Sequence, residues 1–287
     1  MDYGPFLIQI LNATQYGLLL FLIASGLTLI FGVMGVINLA HGSFYMMGAY
    51  LAFTLTGLTG NLFLAIVAGA ILAALLGTFL EWALFSHLYK RDHLQQVLLT
   101  YGLILIFEEL RSVMVGDEVH GLDVPQWLDF SIPLGDTMTY PVYRLFMSGV
   151  CMVVAIGLYF LIQRTRVGAM IRAGASNRDM VQILGININL VNRLVFALGV
   201  ALAAFAGMIN APLSGASPGM GMQVLIISFV VVVIGGIGSV WGALFASLLI
   251  AFADTFGKIL FADYAGMVTY IVMAIVLLWR PEGLFKQ

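Results

Sequence analysis

A chain of 287 residues of which 62% are apolar and only 9% charged cannot cover a folded surface in water, since ordinary soluble domains carry about a quarter charged residues. Its apolar residues form continuous runs near or above the ~18 positions that cross a bilayer, which excludes a porin-type barrel of alternating strands. The net charge of −2 is uninformative by itself, and nucleic acid is not an expected partner. The expectation is an all-α fold: a polytopic transmembrane helical bundle of about 8–9 spans, one membrane domain over residues 1–287.

In chain order, spans are expected at 6–32, 43–58, 62–85, 95–115, 143–163, 191–212, 223–239, 241–261 and 265–281. Phe6–Phe31 is too long for a signal-peptide core and is read as a retained first span. The segments around 33–58 and 213–240 are short, glycine-rich and partly polar, so either is a candidate broken helix or re-entrant hairpin. Cys151, the single cysteine, excludes an intrachain disulfide framework and reads as packing. Glu81 falls near the inner end of the third span, and Glu108, Glu109 and Arg111 crowd the outer third of the fourth. Asp254 and Lys258 stand at i and i+4, where they neutralise each other. No ionisable group suited to proton coupling sits near the middle of a span.

Orientation follows from the basic residues, which gather in short cytoplasmic loops. The link 164–193 carries Arg164, Arg166, Arg172, Arg178 and Arg193 against Asp179; Lys90 with Arg91, and Arg280 with Lys286, mark two further basic regions. The link 116–142 has Asp117, Glu118, Asp123, Asp129 and Asp136 and no Lys or Arg, which places it outside. Nine spans then leave the N-terminus outside and the C-terminus inside.

The 164–193 link is too ordered for a linker. Ser176 and Asn177 offer a cap, Met180, Ile183 and Leu184 recur at helical spacing, and Gly185 supplies a stop before Asn187 and Asn189. The product is a short amphipathic helix outside the bilayer, formed by Asn177, Arg178, Asp179, Met180, Ile183, Leu184 and Gly185. It either rests on lipid headgroups or fits a groove on a separate cytoplasmic motor. A motor would have to be separate: GxxxxGK[ST] is absent, and Gly257-Lys258 is followed by Ile259 inside an apolar run.

Three blocks in order, GVINLAHGSFYMMGAYLA (35–52), RAGASNRDMVQILGIN (172–187) and VVVIGGIGSVWGALFASLL (231–249), with a closing WRPEGLF (279–285), resemble the permeases of bacterial ABC importers for branched-chain amino acids over essentially the whole chain. The resemblance implies a multi-pass subunit of the bacterial inner membrane with no catalytic residues and no cofactor of its own. It also implies a second, homologous permease, two ABC ATPase subunits that bind ATP and Mg, and an extracytoplasmic solute-binding protein. In that family an acid often follows His41-Gly42, where this chain has Ser43. Related permeases take urea, short amides or small organic acids, and a stand-alone secondary transporter is the further alternative.

Polar residues are expensive in spans, so Asn38, His41, Ser43 and Tyr45, among Gly35, Gly42 and Gly48, are candidates either for the solute path or gate or for a structural turn capping two spans. Gly235, Gly236, Gly238 and Ser239 repeat the chemistry, as path or as close helix packing, and the two blocks suggest a weak internal repeat. Ser214–Gln223, with Pro218 and its glycines, forms either an outer mouth or an ordinary turn. His41, His87, His93 and His120 are scattered without a carboxylate or thiol at ligand spacing, so no metal site is expected.

Overall fold

The computed structural model describes residues 4–89, 91–134 and 138–285. Lys90, Asp136 and Lys286, three of the charges used for orientation, lie outside the described residues, as does the side chain of Asp179. The helices, in chain order, are α1 (Gly4–Met34), α2 (His41–Thr59), α3 (Leu62–Ala83), α4 (His93–Val115), α5 (Val142–Arg164), α6 (Arg166–Ser176), α7 (Arg178–Ile183), α8 (Ile188–Ser214), α9 (Met220–Gly235), α10 (Val240–Leu260) and α11 (Ala265–Trp279). All but α6 and α7 fall on the expected spans. Among the described residues five stretches are long and apolar enough to cross a membrane unaided: α1, α3 with the turn after it, α5, α8 and α10. At 16 residues α9 is about 24 Å long, short of the ~30 Å hydrocarbon core.

The link 116–142 is less plain than a loop. It contains an antiparallel hairpin, β1 (Ser131–Pro133) and β2 (Thr139–Pro141), with Ile132 opposite Tyr140. A bridge between His120 and Ala216 ties the link to the residues that follow α8.

The axis of the bundle is α1, which packs against α5, α6, α8, α9 and α10, while α8 also packs against α2 and α3. Lipid tails are as apolar as leucine, so helices associate here through tight van der Waals contact rather than through escape from water. Small residues supply that contact. A Cβ at Gly48 would overlap the backbone of Ala204, one at Gly235 would overlap Gly242, and Gly26 lies against Gly199. Outward faces carry large apolar side chains in quantity, such as Leu98, Leu105, Val153 and Leu278, as a surface in contact with lipid requires.

Both glycine-rich segments interrupt helices. Gly35, in the left-handed region at φ 64°, ends α1, and the chain then doubles back. His41, the first residue of α2, bonds through Nε2 to the carbonyl of Ile23 at 2.9 Å, well inside α1. From Ile23 to the end of α1 at Met34 the helix rises about 16 Å, a distance that residues 35–40 and the His41 side chain together retrace. The first turn of α9 lands at the same level, because a Cβ at Gly42 would overlap the backbone of Gly221. The first turns of α2 and α9 therefore meet inside the bundle.

Candidate functional site

At the end of the bundle that carries the acidic link, six helices enclose a cavity of about 400 Å3. Its upper wall is polar: Gln9, Asn12, Gln15 and Tyr16 on α1, Arg144 on α5, Asn210 on α8, and Thr255 and Lys258 on α10. Leu19, Leu20, Ile23, Tyr45, Val224 and Ile259 complete the lining, and Tyr45 and Val224 directly follow the first turns of α2 and α9 that meet inside the bundle. Arg144 Nη1 donates to Asn12 Oδ1 at 2.9 Å, as does the Tyr140 hydroxyl at 3.2 Å. Asn210 Nδ2 donates to the Tyr45 hydroxyl at 2.8 Å.

The residues of the first glycine-rich block divide. Tyr45 reaches this vestibule, whereas Asn38 and His41 are fully buried and Ser43 nearly so. Asn38 Oδ1 accepts from the amide of Ala40 at 3.1 Å, which shapes the turn into α2. Asn38 Nδ2 and His41 Nδ1 are buried without a partner among the described residues. In the second block, Gly235 packs on Gly242, Gly238 on Gly32, and Gly236, at φ 92°, on the carbonyl of Phe285. Ser239 caps α10 by accepting from the amide of Gly242 at 3.0 Å.

At the opposite end, two helices project between α5 and α8 where one was expected. Thr165 caps α6 through the amide of Gly168, and Asn177 caps α7 through the amide of Met180 at 3.0 Å. Gly185, at φ 79°, turns the chain toward α8. Met180, Ile183 and Leu184 are 54%, 81% and 70% exposed. Beneath them α6 borders a cleft of about 510 Å3 with the inner halves of α1 and α5 and the turn before α10.

A chain of polar contacts links α7 to the spans. Arg178 lies 5.2 Å over the ring of Tyr89 and donates to the last carbonyl of α1, on Met34, at 3.3 Å. Tyr89 donates its hydroxyl to Glu81 on α3, and burial, followed by that carboxylate, pushes the phenol's pKa up. The second oxygen of Glu81 pairs with Arg193 on α8 at 3.1 Å. At the outer end Arg111 bridges Glu108 at 3.3 Å and Asp117 at 2.9 Å; Ser112 and then Arg111 hold the Asp117 carboxyl below the usual range. Asp254 and Lys258 pair at 2.5 Å. Among the described residues no three His, Cys, Asp or Glu side chains converge as a metal site would need.

A family model for the permease component of the branched-chain amino acid transport system matches residues 9–277, so the chain belongs to that family. It is a multi-pass membrane transport subunit of the ABC importer type and not an enzyme. A high-affinity branched-chain amino acid transport system permease protein, BraD of Pseudomonas aeruginosa, is 32% identical over 98% of this chain and 96% of its own length. The corresponding LivH of Escherichia coli is 28% identical with the same coverage. The ribose import permease protein RbsC of Escherichia coli is 27% identical over 81% of this chain and 72% of its own.

Sequence reasoning missed the vestibule residues Gln9, Asn12, Gln15, Tyr16, Arg144, Asn210 and Thr255. One signal was available: Gln9, Asn12 and Tyr16 recur at spacings of three and four, a polar stripe along an otherwise apolar helix.

Proposed function

We propose that this chain is the permease subunit of a branched-chain amino acid importer in the bacterial cytoplasmic membrane. It pairs with a second, homologous permease, receives solute from an extracytoplasmic binding protein, and is driven by two cytoplasmic ABC ATPases that bind the ATP and Mg. The observation that carries the reading is the exposed apolar tip of α7. Met180, Ile183 and Leu184 stand outside the lipid-facing helices on a helix whose backbone is already capped, a surface suited to a protein groove. Motion imposed on that tip reaches α1 through Arg178, and α3 and α8 through Tyr89, Glu81 and Arg193. Asn38, His41 and Ser43 serve as the hinge of the doubled-back segment, and Tyr45 faces the solute.

The test is uptake into proteoliposomes holding the full complex, screened with leucine, isoleucine, valine, ribose and urea. ATP-dependent uptake of the three amino acids, in preference to ribose and urea, is expected. Uptake that proceeds without the ATPases, or a preference for ribose or urea, would sink this reading.

A further inference from the structure

The outer vestibule combines polar groups that the protein leaves unpaired with an apolar floor. Arg144 is half-buried in its wall, and none of the ion pairs among the described residues includes it. Its side-chain partners among the described residues, Asn12 and Tyr140, are both neutral, which leaves several of the guanidinium's donors free. Gln15 is 6% exposed, and its only side-chain hydrogen bond among the described residues is a weak one from Nε2 to the sulfur of Met147 at 4.0 Å. Its carbonyl oxygen has no partner among the described residues. Facing the cavity, that oxygen can accept from a ligand. Tyr16, one residue on, also lines the cavity, its hydroxyl without a hydrogen-bond partner among the described residues.

We propose that the vestibule is a solute subsite within a single permease, built for a zwitterionic α-amino acid with an apolar side chain. The inference rests on the transport reading above and gives it a place. The guanidinium of Arg144 takes the carboxylate in the fork geometry that favours arginine for this task. The Gln15 carbonyl and the Tyr16 hydroxyl accept from the ammonium. The aliphatic side chain falls on Leu19, Leu20 and Ile23. No carboxylate of the protein neutralises Arg144 among the described residues, so the incoming carboxylate gains an unpaired partner in a region where unpaired charge is costly. The floor is the point where the first turns of α2 and α9 meet, so solute held here touches both interrupted helices, through Tyr45 and Val224.

The test uses the full complex in proteoliposomes with Cys151→Ser and Thr255→Cys, the new thiol being in the vestibule wall. A membrane-impermeant methanethiosulfonate reagent added outside is expected to label it, and excess leucine to slow labelling by about ten-fold. Isoamylamine, which keeps the side chain and amine but lacks the carboxylate, should leave the rate unchanged. Arg144→Gln and Gln15→Leu should each abolish protection by leucine, and Arg144→Lys should retain part of it. Because Arg144→Gln could fail to assemble, the Gln15 variant and the isoamylamine comparison stand independently of it. Three results would overturn the subsite while leaving the transport reading intact: no labelling from outside, no protection by leucine, or equal protection by isoamylamine, each in vesicles that carry leucine on ATP. Vesicles that take up another solute and not leucine would overturn the substrate reading and the subsite with it.

Discussion

Glu81 and Arg193 meet at 3.1 Å with unequal burial, the acid's side chain 1% exposed and the base's 39%. Removing the base strands a desolvated carboxylate, whereas neutralising the acid leaves an amide that still accepts from Tyr89. Arg193→Ala should therefore cost more than Glu81→Gln: about 2–3 kcal/mol, below the 3–5 of a fully buried pair because part of the arginine is solvated. Thermal unfolding in detergent checks the order, and equal losses would refute the buried-charge argument. A second pair of substitutions separates close helix contact from simple helix propensity. Gly48→Ala drives a methyl into the backbone of Ala204 and should cost about 1–3 kcal/mol. Gly102→Ala, on α4 with nothing within reach of its new methyl, should be neutral or slightly stabilising, since alanine outranks glycine in helices by about 1 kcal/mol. Both are read from the same melting experiment.

At the scale of elements, α7 separates docking from transmission. Ile183 and Leu184 are exposed apolar positions on its tip, so Ile183→Asp with Leu184→Asp should leave stability within about 0.5 kcal/mol yet stop the ATPases from co-purifying and abolish ATP-driven uptake. Retained co-purification would return α7 to a helix resting on lipid. Arg178 sits on the other face, tied to Met34 and Tyr89. Arg178→Gln should keep the ATPases bound while uptake per ATP hydrolysed falls roughly ten-fold, equivalent to ~1.4 kcal/mol of lost coupling. Unchanged uptake per ATP would remove Arg178 from the transmission route. Gly185→Ala, which forces a Cβ into the left-handed region at φ 79°, should cost about 1–2 kcal/mol and disturb the exit from α7 toward α8.

Across the whole molecule, the spans were legible because long apolar runs end at residues that cap or turn the backbone: Asn61 before α3, Asn187 before α8, and Ser239 before α10 each accept from amides of the following first turn. The helix α6 was not legible, because RVGAMIRAGAS has no long apolar run. It is fixed instead by tertiary contact, with Gly168 tucked under the last carbonyls of α5 and Arg172 donating to one of them, on Ile162. The vestibule was hidden for a different reason. Its polar residues are spread over α1, α5, α8 and α10, and only packing brings the α1 stripe to the others, whereas Asn38, His41 and Ser43 stood out as a cluster and lie buried at the start of α2. Orientation remains a statement about charge, and it commits the two functional regions to opposite sides of the membrane. In a Cys151→Ser background, a cysteine at Asp123, exposed in the acidic link, should react with an impermeant thiol reagent added to intact cells. A cysteine at Gln182, exposed on α7, should react only after the membrane is opened. The buried Cys151 should itself contribute no signal. The reverse pattern would place the arginine-rich link outside, where cytoplasmic ATPases could not reach α7 and the vestibule would open toward the cell interior; both the docking assignment and the direction of solute entry depend on that one comparison.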